Sequence, residues 1–69
     1  MTLPSEDRER LLAALRRVDP TQFRAQLRAV LAAHGELTGS ARALGVAAPT
    51  LERWIAADPS LIAGLDFTP

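Results

Sequence analysis

The tightest constraint on this chain is its punctuation. Asp-Pro occurs at Asp19-Pro20 and again at Asp58-Pro59, and glycine stands at positions 35 and 45. Proline lacks a backbone N–H and has a fixed φ, so it suits the first helical position, where an Asp before it can accept from the free N–H groups of the first turn. Glycine suits the left-handed residue that ends a helix. These marks cut the chain into short segments. Within each, apolar residues recur at helical spacing and β-branched runs are scarce, so every segment is expected to be helical and no strand is expected.

The first helix is predicted over Ser5–Val18, with Leu11, Leu15 and Val18 on one stripe and Leu12 beside it. Glu6 and Asp7 lie in its first turn and Arg16 and Arg17 in its last, which opposes the helix dipole at both ends. Asp19-Pro20-Thr21-Gln22 then opens a second helix, with Gln22 completing a capping box. Phe23, Leu27, Val30 and Leu31 form its stripe, and it should stop at His34-Gly35. Residues 1–34 thus read as an antiparallel helical hairpin. A third helix over residues 38–44 and a fourth over Ala48–Ala57 are separated only by Gly45-Val46-Ala47. Asp58-Pro59-Ser60 begins a short last turn or helix holding Leu61, Ile62 and Leu65, and the tail from Asp66 is expected to be loose.

Size narrows what such segments can build. With 69 residues there is room for one core, and 48% hydrophobic with 23% charged residues is a globular composition. A domain of this size buries only about 60% of the surface its unfolded chain exposes, so it gains from a partner. The apolar stripes of helices one and two exceed what so small a core needs, which predicts a homodimer through residues 1–34. The expected architecture is an all-α, small helical bundle of four to five helices: the hairpin, a helix-turn-helix at residues 35–57, and a short C-terminal helix and tail at 58–69.

Composition also excludes function classes. The absence of cysteine rules out disulfides and thiolate metal sites. One His, no Lys and no Tyr leave few groups that titrate near neutral pH, which argues against an enzyme; no catalytic, metal or cofactor residues are expected. Ser40 has neither a base nor a nucleophile elbow. No apolar run approaches the roughly 18 residues of a membrane span, and the first residues lack the basic and apolar regions of a signal peptide. A cytoplasmic setting away from membranes is expected.

Two short helices joined by three residues must cross steeply, which demands a small residue at their contact and glycine where the turn takes a positive φ. Ala41 and Gly45 supply these, while Leu44, Val46, Leu51 and Trp54 stand at the spacing that closes a core beneath. Through Gly35, Thr38, Ala41, Leu44, Gly45, Val46, Thr50 and Leu51 the stretch resembles the helix-turn-helix of Fis-type DNA-binding domains. It is also similar to the LysR-type helix-turn-helix, through Arg42, Ala43, Pro49, Arg53 and Ile55 besides most of the same positions. The likeness covers residues 27–55. The LysR-type wing and effector domain have no counterpart, so a Fis-type or minimal helix-turn-helix is the better description.

Both families are bacterial transcriptional regulators that commonly act as dimers, so the resemblance implies a sequence-specific duplex-DNA-binding protein. The fourth helix would then enter the major groove, with Ala48, Pro49, Thr50, Glu52 and Arg53 at base edges. Arg53 is the one residue there able to make a bidentate contact to guanine. The chain departs from the pattern at Ala47 and Ala48, where polar residues are usual, and at Glu52, where a basic one is common.

Eight arginines balance eight carboxylates. Segment by segment, only helix two is basic, since Arg24 and Arg28 stand there unopposed; with Thr38 and Arg42 they are the expected phosphate contacts. The weak overall field and the departures at Ala47, Ala48 and Glu52 support a competing reading, a module that keeps the fold but binds another protein. His34, at a helix C-terminus, is read as a partner of the dipole, and Trp54 as a core residue rather than a base-stacking one.

Overall fold

The computed structural model describes residues 5–68. Among these the chain is all-helical: α1 (Ser5–Val18), α2 (Pro20–His34), α3 (Leu37–Leu44), α4 (Ala48–Ala57) and one 3₁₀ turn, Pro59–Leu61. Each boundary has a local cause. Asp19 accepts from the Gln22 N–H at 3.1 Å and Pro20 takes the first position of α2. The reciprocal half of the expected capping box is not needed, because the Asp19 N–H already donates to the Leu15 carbonyl at 2.7 Å. Gly35 and Gly45 end α2 and α3 with φ of 71° and 74°. α3 begins one residue earlier than expected, capped by Glu36, whose carboxylate accepts from the Gly39 N–H at 2.6 Å.

α2 is the central element. Its Phe23, Leu27 and Leu31 are buried, and around them close Ala41, Val46, Leu51, Trp54 and Leu61. Phe23 and Trp54 meet edge to face, with ring centroids 5.4 Å apart. Trp54 is 8% exposed and belongs to the core.

Three expectations are corrected. α1 is turned about its axis relative to the predicted stripe: Leu12 and Leu15 pack against the core, whereas Leu11 is 61% and Val18 82% exposed. The cause is at the other end of the helix, where Arg8 and Glu9 engage the turn after α3 and set which face looks inward. Second, Phe23, Leu27 and Leu31 of the α2 stripe are buried in the core and Val30 is half-buried, so the large apolar side chains left exposed among the described residues are Leu11 and Val18. Third, the tail is docked. The Thr68 N–H donates to the Gly35 carbonyl at 2.9 Å, the Leu37 N–H to the Thr68 carbonyl at 3.2 Å, and Phe67 packs on the core. These bonds make a single bridge between Glu36 and Thr68, and no strand forms among the described residues.

Candidate functional site

Gly45-Val46-Ala47 turns the chain between α3 and α4. The Gly45 N–H donates to the Arg42 carbonyl at 3.2 Å and the Val46 N–H to the Ala41 carbonyl at 3.0 Å, while Ala41 and the Val46 side chain are buried beneath. The size rules read from the sequence thus operate here: a small residue under the turn, and glycine at the positive φ.

α4 divides cleanly by face. Thr50, Leu51 and Trp54 are buried; Pro49, Glu52, Arg53 and Ala56 are exposed together, and Ala48 is half-buried against the core. Of the five residues expected at base edges, Pro49, Glu52 and Arg53 therefore face outward, Ala48 partly so, and Thr50 does not. The Thr50 hydroxyl lies against its own helix and accepts from the Arg53 guanidinium at 3.4 Å. Ala47 offers no side-chain cap to α4, and its own N–H donates to Glu9 of α1 at 2.8 Å. Alongside, the Arg8 side chain lies across Gly45 and fills the space that a Cβ there would take.

The expected phosphate contacts separate into two pairs. Thr38 and Arg42 are exposed and, four residues apart, share one side of α3. Arg24 and Arg28 are not unopposed: Arg24 Nε lies 3.2 Å from Asp58 Oδ2, and Arg28 donates to the Ser60 carbonyl. Both side chains pin α2 to the 3₁₀ turn. Asp58 is held below its ordinary value of 3.8, first by the Ser60 hydroxyl; desolvation, the next largest effect, opposes this, and the Arg24 guanidinium and the Ser60 N–H lower it further. Salt-bridge side chains 44% and 31% exposed remain accessible to water, so the pair is a pin rather than a buried ion pair.

His34 is exposed in the last turn of α2. Among the described residues no three His, Asp or Glu side chains gather as a metal site requires, and no helix is long and apolar enough to cross a membrane. The contacts that sequence reasoning missed, Glu9 to Ala47, Arg24 to Asp58 and Arg28 to Ser60, span 38, 34 and 32 residues. No local pattern encodes them. No family model, no curated protein and no solved structure matches the chain.

Proposed function

We propose that this protein binds duplex DNA through α3, the turn and α4, with α4 in the major groove, and regulates transcription in a bacterial cytoplasm. The observation that carries the reading is the division of α4. One face anchors the core through Leu51 and Trp54, while the opposite face, from Pro49 to Ala56, is free along its length on a rigid Gly45 turn. A helix so held can be inserted into a groove without disturbing the core. Arg53 would contact guanine, Glu52 would accept from a cytosine amino group, and Pro49 and Ala48 would meet thymine methyl groups. Arg42 and Thr38 would hold phosphates; Arg24 and Arg28 would have to break internal bonds to do so. Binding as two copies is part of this reading, and pairing would rest on α1, where Leu11 and Val18 are exposed.

The second reading, a protein-binding module, is favoured by one observation: the basic pair of α2 is spent on Asp58 and Ser60, and Glu52 offsets Arg53 on α4. Fluorescence anisotropy on a duplex selected from a random library, at low and physiological salt, decides between them. Saturable binding that Arg53→Ala weakens on the selected site supports the DNA reading. No binding at low salt overturns it, and nuclease-resistant capture of one protein, lost on changing Glu52, would then favour the module.

A further inference from the structure

Among the described residues, Glu9 is the carboxylate outside α4 that bonds to its N-terminal end. Its Oε1 accepts from the N–H of Ala47, the residue that precedes α4, at 2.8 Å. Arg8, beside it, is wedged over Gly45, so α1 cannot withdraw that carboxylate without opening the packing on the turn. At this end of the molecule Glu9 and Glu52 contribute two negative charges against the three positive charges of Arg8, Arg42 and Arg53, so Glu9 halves the net charge of the surface proposed to face DNA, from plus two to plus one.

We propose that Glu9 is a specificity-determining residue: held at the start of α4, it suppresses by its charge the attraction to any phosphate backbone, so that only a sequence offering good base contacts is held. The inference rests on the duplex-binding reading and adds to it the residue that sets the ratio of specific to non-specific affinity. The physical basis is simple. A DNA strand that approaches the start of α4 passes a fixed carboxylate, and a cation must stay trapped between that carboxylate and the phosphates instead of being released to solution. One fewer released counterion lowers the affinity for all sequences and flattens its salt dependence. A unit charge at contact distance in water is worth about a three- to tenfold change in an equilibrium constant.

The test uses Glu9→Gln, which keeps an acceptor for the Ala47 N–H and removes the charge, and Glu9→Asp, which shortens the reach and keeps the charge. Asp19→Asn is the control, because it makes the same change in net charge at the junction of α1 and α2 and Asn still caps a helix. Binding to a random-sequence duplex is measured by anisotropy from dilute to physiological salt, with circular dichroism confirming that each variant is folded. Glu9→Gln is expected to bind random duplex about three- to tenfold more tightly, with a salt slope about one unit steeper and a smaller preference for the selected site. Glu9→Asp and Asp19→Asn should stay near the parent protein. Equal gains for Glu9→Gln and Asp19→Asn would overturn the proposal, since net charge alone would then be responsible; so would a gain for Glu9→Asp, which would implicate the lost hydrogen bond. If the parent binds duplex and Glu9→Gln gains nothing, the role of Glu9 falls and the duplex reading stands. If no variant binds duplex, both fall together.

Discussion

Ser40 should be worth more to this fold as alanine. Its side chain is fully buried in α3, and its hydroxyl has no hydrogen-bond partner among the described residues, although its backbone N–H donates to the Glu36 carbonyl at 3.1 Å. A buried donor without a partner costs about 1–3 kcal/mol. Ser40→Ala removes that penalty and adds a few tenths of a kcal/mol of helix propensity. Against this stands the loss of packing around one oxygen atom, a void smaller than a methyl group and worth less than about 1 kcal/mol. The net expectation is a stabilisation of about 1 kcal/mol, which in a domain of this size raises the melting temperature by about 4–8 °C. Urea unfolding followed by the fluorescence of Trp54, the one tryptophan and a core residue, reads the change directly. A midpoint that falls with unchanged m-value would refute the reasoning and show that the hydroxyl is satisfied.

Three further outcomes follow from the packing and the charges. Trp54→Ala empties the site against Phe23 and should cost about 3–5 kcal/mol, enough to unfold much of the population; far-ultraviolet circular dichroism at 25 °C checks it. Because the folded structure holds the Asp58 carboxyl below its ordinary value, its contribution to stability is present above about pH 4 and is lost as pH falls through the lowered value. Asp58→Asn should accordingly flatten the acid limb of stability against pH, and an unchanged limb would remove Asp58 from the account. On duplex DNA, Arg42→Ala should reduce the salt slope by about one unit, whereas Arg24→Ala should leave the slope unchanged and lower the melting temperature instead.

The helices were legible because their signals are local. Asp19, Pro20, Gly35, Gly45 and Asp58 act within four residues of themselves, and the boundaries of α1, α2 and α4 agree with the reading. The rotation of α1 was not legible, since Leu11, Leu12, Leu15 and Val18 offer two adjacent stripes of similar apolar content. What selects between them is tertiary: Glu9 at Ala47 and Arg8 at Gly45. The docked tail was missed for the same reason, as Thr68 bonds to a loop more than thirty residues earlier. At the candidate site the face of α4 was legible in outline from helical spacing, except that Thr50 turns inward. The status of the arginines was not. A segment sum counts Arg24 and Arg28 as free cations, yet Asp58 and Ser60 lie beside them in the fold.

On the duplex-binding reading, charge sets what kind of binder this surface would be. With net charge zero and two arginines already engaged, the chain has little of the phosphate attraction that supplies non-specific affinity. On the inference drawn for Glu9, a carboxylate at the start of α4 would reduce it further. Affinity for a preferred site would then have to come mainly from Arg53 and its apolar neighbours at the base edges, and from pairing of two copies, which doubles the contacts. Discrimination by such a surface survives physiological salt better than its non-specific binding does, because base contacts release few counterions. A protein built this way would be a weak binder of bulk DNA, with occupancy set by its preferred sequence rather than by the amount of DNA present.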